Sequence, residues 1–89
     1  MLDGLISKDP QMHNGRPTIA GTGNTVRAIA IMYKQGLTPE EITAELLLSL
    51  AQVYAALTYY HLNTAEVEAD IRQDSEAVLI EKHGDSVNG

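Results

Sequence analysis

The stretch that decides the fold is TPEEITAELLLSLAQVYAAL, which runs from Thr38 to Leu57. Thr38 is followed by a proline at the first helical position and, three residues on, by Glu41, which is the arrangement of an N-terminal capping box. Ser49 and Gln52 repeat that spacing further along the chain. The stretch therefore predicts two short helices in close succession, with only a few residues between them.

The apolar residues of this stretch predict how the two helices pack. Ile42 and Leu46 would form the buried face of the earlier helix, and Val53 and Leu57 that of the later one, because apolar residues at this spacing share one side of a helix. Two helices joined by so short a turn are typical of a helix-turn-helix motif. A plain three-helix bundle with no role in DNA binding fits the same spacing.

A further helix is predicted on each side of this pair. Asn24 or Thr25 can cap an earlier helix that ends at Gly36. A later helix would begin near Asn63, with Glu66 at the capping-box position. The chain is therefore predicted to be mainly α-helical. The predicted divisions are an N-terminal arm at 1–23 with a short strand or extended run at 17–20, a helical core at 24–62, an acidic C-terminal helix at 63–83 and a disordered tail at 84–89.

Charge is distributed unevenly along the 89 residues, whose net charge is −6. Residues 1–35 hold four basic side chains against two acids, a balance of +2, whereas residues 36–89 hold two against ten, a balance of −8. Neutralisation of phosphates supplies most non-specific affinity for nucleic acids, so only the N-terminal third could face a phosphate backbone. The candidate DNA-facing residues are Arg16, Arg27, Lys34 and Gln52. Gln52 could read an adenine, or it could simply be the capping partner of Ser49.

The helix after Ser49 carries small and aromatic side chains on its predicted outer face, without lysine or arginine. Tyrosine is favoured at interfaces because it buries a large area and keeps a polar tip. This composition predicts a surface on which another helix packs, and it fits equally well an internal core beneath the last helix. The candidate interface residues are Ala55, Ala56, Tyr59, Tyr60, Val67 and Ile71.

Catalytic and metal-binding patterns are weak. Gly21-Thr-Gly23 lacks the third glycine of a dinucleotide fingerprint. His13, His61 and His83 are widely separated, and the chain has no cysteine. We therefore expect no catalytic residues, no metal, no cofactor and no enzymatic activity.

The absence of cysteine and of a signal peptide favours a small cytoplasmic protein. Residues 1–10 contain no apolar run typical of a signal peptide, and no stretch is long and apolar enough to span a bilayer. A core as small as this chain allows, without disulfides, usually needs a further source of stability. We therefore expect a homodimer.

Several segments, taken in order, closely resemble the domain of unknown function 433 family of small bacterial and archaeal proteins. They are Asn14-Gly-Arg-Pro17, Thr18-Ile-Ala-Gly-Thr22, Gly36-Leu-Thr-Pro-Glu-Glu-Ile42 and Leu50-Ala-Gln-Val-Tyr-Ala-Ala-Leu57. The resemblance spans about residues 6–72. It implies a homeodomain-like helix-turn-helix core of three helices preceded by a short β arm.

The resemblance also implies a function. It is that of a dimeric antitoxin, similar to those of the VapB type, which masks a PIN-like ribonuclease toxin and binds its own operator DNA. In that case the acidic C-terminal helix would face the toxin, because an acidic segment can occupy a cationic groove meant for RNA. The alternative is a protein-interaction or structural module without DNA binding.

Overall fold

The computed structural model describes residues 4–11 and 15–73. Within these ranges the chain forms two short strands and four helices. In chain order they are β1 (Ile6–Ser7), β2 (Thr18–Ile19), α1 (Val26–Lys34), α2 (Pro39–Leu46), α3 (Leu50–Leu62) and α4 at 64–73. The mainly helical prediction is confirmed, and the predicted helix beyond residue 73 and the tail at 84–89 lie outside the described residues.

The arm is a two-stranded antiparallel sheet tied to the start of α1. Ile6 pairs with Ile19, and Ser7 pairs with Thr18. The Val26 N–H donates to the Pro17 carbonyl at 2.9 Å, which fixes β2 against the first turn of α1. The strand predicted at 17–20 is therefore present, whereas its partner β1 had no alternating pattern that would have revealed it.

The helices begin where the capping residues predict. The Thr25 hydroxyl accepts a main-chain N–H from the first turn of α1. At the start of α2 the Thr38 hydroxyl accepts from the Glu41 N–H at 3.2 Å, and the Thr38 N–H donates to the Glu41 carboxylate at 2.8 Å. That main-chain donor lowers the pKa of Glu41. Ser49 and Gln52 form the same reciprocal pair before α3, at 3.1 and 2.8 Å.

The connection between α2 and α3 is a tight, three-residue turn at 47–49. The chain bends by 117° between the two helices. Leu47 ends α2 in the left-handed conformation, with φ at 56°. No single helix in the described residues is long and apolar enough to cross a membrane, although α2 and α3 taken together would meet the criteria of length and composition.

The core lies around α3, which contacts α1, α2 and both strands. The largest fully buried side chains of the core are Ile19, Val26, Ile29, Ile42 and Val53. The core also includes a side chain of α4, because Val67 is 3% exposed. Helix α4 is thus docked onto the domain through Val67 and, less completely, through Ile71.

Candidate functional site

Acidic side chains of α4 meet basic side chains from the N-terminal third along one boundary, which we call the charged seam. Every second residue of α4 from 66 to 70 is acidic, and each of these carboxylates lies against a cation from another element. The seam consists of Glu66, Glu68 and Asp70 together with Lys8, Arg16, Arg27 and Lys34. The +2 and −8 parts of the chain therefore compensate each other internally where they meet.

Asp70 is the most enclosed carboxylate of the seam, with its side chain 18% exposed. Its Oδ1 accepts from Arg16 Nε at 2.9 Å and lies 3.7 Å from Arg27 Nη1. Partial burial lowers the effective dielectric constant, so these pairs are stronger than ion pairs in open solvent. Asp70 consequently joins the arm, the start of α1 and α4 through one carboxylate.

Glu68 joins the C-terminal end of α1 to α3. Lys34 Nζ donates to both carboxylate oxygens of Glu68, at 2.6 and 2.9 Å, and the Tyr60 hydroxyl donates to the same group. The Lys34 hydrogen bond, with that from Tyr60, holds the pKa of Glu68 below its ordinary value. The carboxylate acceptor in turn raises the pKa of Tyr60, with burial adding to the effect.

Glu66 makes the outermost contact of the seam. Its Oε1 accepts from Lys8 Nζ and from the Tyr59 hydroxyl, each at 3.0 Å. The Glu66 hydrogen bond raises the pKa of Lys8, and burial raises the pKa of Tyr59. The capping box predicted at Asn63 and Glu66 is wrong, because the Asn63 N–H donates to the Tyr59 carbonyl and the Glu66 carboxylate turns toward the arm.

A cleft of about 180 Å³ opens beside the seam, between the arm and α4. Its walls combine cationic, acidic and apolar groups. They are formed by Lys8, Gly15, Arg16, Pro17, Arg27, Glu66, Val67 and Asp70. Ligand pockets for drug-sized molecules are usually larger, about 300–1,000 Å³. Within the described part of the chain, no three histidine or acidic side chains are grouped in a way that could hold a metal ion.

The structure brings two of the candidate DNA-facing residues together, because Arg16 and Arg27 lie against the same oxygen of Asp70. Lys34 lies against a different carboxylate of the charged seam, that of Glu68. A phosphate would have to compete there with Asp70 or Glu68. The Gln52 side chain caps α3 through Ser49, as its alternative role predicted. DNA contact by these four residues stays a prediction.

The candidate interface residues lie mainly inside the chain. Ala55, Ala56, Tyr60 and Val67 are buried, and Tyr59 and Ile71 are partly buried against the core. The prediction of an outward-facing surface is therefore wrong for the four buried residues. The alternative, an internal core, is what the structure shows, because Ala56, Tyr60 and Val67 belong to one buried cluster.

The exposed surface of α3 lies on its other side, near the turn after α2, and sequence reasoning missed it. Leu50 and Tyr54, one turn apart and hence on one face, are 42% and 49% exposed. Leu47, in the turn just before them, is 90% exposed. We call these three residues the apolar edge. The available signal was that α3 contains no acidic residue, lysine or arginine, since a helix without a polar face is normally covered all round.

Comparison with known proteins identifies the family. A family described as "Protein of unknown function (DUF433)" matches residues 6–60, which is more than half of the chain. The chain belongs to the DUF433 family. The match covers the arm, α1, α2 and α3 as far as Tyr60, and it ends before the acidic side chains of the charged seam.

A solved DUF433 structure supports the same fold. It is the crystal structure of a DUF433 member protein from Anabaena variabilis ATCC 29413, which is 26% identical to this chain and superimposes with a TM-score of 0.73. The comparison covers 81% of this chain and 72% of the Anabaena protein. No curated protein matches the chain.

Proposed function

We propose that this DUF433 chain is a non-catalytic binding module of the antitoxin type, which contacts a protein partner through the apolar edge. The observation that carries this proposal is Leu47, whose side chain is 90% exposed while its backbone is left-handed at φ 56°. A left-handed conformation costs an L-residue roughly 1–2 kcal/mol. Leu47 recovers little of that cost by burial within the chain, and retained strain of this kind clusters at functional surfaces.

The composition of α3 supports a contact driven by apolar burial. Leu50 and Tyr54 extend the exposed surface of Leu47 without adding a formal charge. Tyrosine contributes a large, rigid contact area with a polar tip, which favours protein interfaces. Arginine and lysine, which make most specific base contacts, are missing from this helix.

The family resemblance supplies the partner class, a PIN-like ribonuclease. The carboxylates of Glu66, Glu68 and Asp70 already bind cations of the same chain. That arrangement favours the apolar edge over the described part of α4 as the surface for the partner. It also makes a truncation after Leu62 a poor test, because the truncated chain would lose buried Val67 and the seam together.

Point variants on α3 test the proposal. The chain is titrated with a purified PIN-like ribonuclease, the partner class that the resemblance implies, and binding is measured by calorimetry. Leu50→Ser and Tyr54→Ala should each weaken binding by about tenfold or more, as expected for central contacts. Leu62→Ser is the matched control, because Leu62 is 65% exposed on the same helix and lies about 18 Å from Leu50 along the helix axis.

The control should change affinity by less than about twofold, since a rim or outside position contributes little. Equal losses of affinity for Leu50→Ser, Tyr54→Ala and Leu62→Ser would indicate that the substitutions disturb α3 as a whole. Native affinity in both edge variants would overturn the assignment of the partner surface.

A second candidate function is operator binding, favoured by the geometry of the α2–α3 turn. A three-residue turn with a 117° bend falls in the range of helix-turn-helix motifs. Fluorescence anisotropy against the promoter fragment at increasing salt tests this candidate. A phosphate-binding protein loses affinity steeply as salt rises. Arg27→Gln should reduce the slope of the logarithm of affinity against the logarithm of salt concentration by about one. The absence of any complex at low salt would reject the candidate.

A further inference from the structure

A single residue separates α3 from α4. Helix α3 ends at Leu62, α4 covers 64–73, and Asn63 between them has a non-helical backbone with φ −131° and ψ 43°. Residues 50–73 contain neither glycine nor proline. These two residues are the usual causes of a broken helix, so the break at Asn63 is imposed by neither of them.

Side-chain donors supplement the main-chain donors at the break. The Thr64 hydroxyl donates to the Tyr60 and His61 carbonyls at 3.0 and 3.2 Å, and the Asn63 side-chain amide donates to the Tyr59 carbonyl at 3.1 Å. In a continuous helix, main-chain N–H groups would satisfy the Tyr60 and His61 carbonyls. The bent and straight forms therefore both satisfy these carbonyls, the bent form through the Thr64 hydroxyl and, at Tyr60, also through the Asn63 N–H.

The contacts of α4 with the rest of the domain are complementary enough to form between two copies. Helix α4 contributes buried Val67 and three carboxylates, and the arm, α1 and α3 contribute the matching core and cations. Straightening at Asn63 would carry α4 away from its own seam. A second copy in the same state would offer an identical, vacated seam.

We propose that Asn63 is a hinge through which α4 is exchanged between two copies of this chain. In the exchanged dimer each α4 places Val67 and its carboxylates against the other copy. Because exchange conserves these contacts, the closed monomer and the dimer differ in structure mainly at the hinge. The fraction of dimer rises with protein concentration. The exchange does not depend on partner binding, because the apolar edge lies outside the exchanged contacts.

A mixing experiment tests the exchange directly. A chain with Glu68→Gln, which keeps Lys34, is refolded at high concentration with an isotope-labelled chain with Lys34→Gln, which keeps Glu68. The mixture is then treated with a zero-length carbodiimide, which couples an amine and a carboxylate that form an ion pair. Only exchange brings Lys34 of one copy to Glu68 of the other. We expect a peptide of mixed isotope composition joined at these two residues, found in the dimer fraction.

Hinge variants supply the second measurement, by sedimentation equilibrium. Asn63→Ala with Thr64→Ala removes the side-chain donors of the bend and favours a continuous helix, so dimerisation should tighten by about tenfold or more, since two hinges contribute. Asn63→Gly should weaken it, because glycine disfavours helix. A double-alanine variant that stays monomeric at high concentration would overturn the proposal. So would a dimer in which no coupling between Lys34 and Glu68 joins the two copies, which would point instead to association through another surface.

Discussion

Leu47 occupies a backbone conformation that suits glycine better than leucine. At φ 56° its Cβ crowds the neighbouring carbonyl, and the 90% exposed side chain packs little within the chain. We expect Leu47→Gly to raise the free energy of unfolding by about 1 kcal/mol, measured by urea denaturation. The same variant should bind the protein partner less tightly, since it removes part of the apolar edge.

Gly36 provides the opposite control for that prediction. Its φ is +101°, and a Cβ added there would meet no atom within 4 Å, so Gly36→Ala adds backbone strain without a steric clash. It should lower the free energy of unfolding by about 1 kcal/mol or more. A Leu47→Gly variant that is no more stable than the native chain would show that the turn at Leu47 is unstrained.

Glu68 predicts a specific pH dependence of stability. Its pKa in the folded chain is lowered from the ordinary value of 4.5, chiefly by the hydrogen bond from Lys34. Its contribution to stability is therefore complete above 4.5 and is lost as the pH falls through the lower folded value. We expect the difference in free energy of unfolding between the native chain and Glu68→Gln to shrink over that acidic range.

The matched control is Glu45→Gln, which changes an exposed carboxylate of α2 for which the structure shows no ion pair within the described ranges. The difference between this variant and the native chain should vary less with pH. If Glu68→Gln and Glu45→Gln gave the same pH profile, the Lys34–Glu68 contact would not contribute to stability.

At the scale of the elements, the start of α3 rests on a reciprocal cap. Ser49→Ala removes the hydroxyl that accepts the Gln52 N–H, and we expect it to lower the free energy of unfolding by about 1 kcal/mol. Gln52→Ala removes only the return bond to the Ser49 N–H and should cost less. Circular dichroism during urea unfolding measures both. Equal stability of the Ser49→Ala variant and the native chain would contradict this account of the cap.

The sequence was sufficient for the helix starts and insufficient for long-range contacts. Thr38 with Glu41 and Ser49 with Gln52 are local signals, because donor and acceptor lie three residues apart. The pairing of β1 with β2 and the docking of α4 depend on contacts between distant residues. A pattern along the chain therefore predicts that α4 exists but not which surface it covers.

The same limit explains what was missed at the candidate site. The charge of Arg16 and Lys34 makes them candidates for DNA contact in the sequence. Their partners Asp70 and Glu68 lie 54 and 34 residues away along the chain. Ala55 and Ala56 lie outside the predicted apolar stripe of α3, yet both are buried in the folded chain. The exposure of the apolar edge cannot be predicted from the sequence because it depends on the direction of the α2–α3 turn.

At the scale of the whole molecule, the charged seam should make the docking of α4 sensitive to salt. The outer pairs, Lys8 with Glu66 and Lys34 with Glu68, are substantially exposed and should weaken as salt screens them. Hydrogen exchange should therefore accelerate at residues 64–73 in high salt, relative to α2. Equal protection at low and high salt would mean that α4 is held by apolar packing alone.

The central claim is that the basic N-terminal third is engaged by α4 within the chain, and a double-mutant cycle on Arg16 and Asp70 tests it most directly. The free energy of unfolding is measured for the native chain, Arg16→Met, Asp70→Asn and the double variant at low salt. Because this hydrogen bond joins charged, partly buried groups, we predict a coupling of about 1 kcal/mol or more. A coupling indistinguishable from zero would contradict the charged seam.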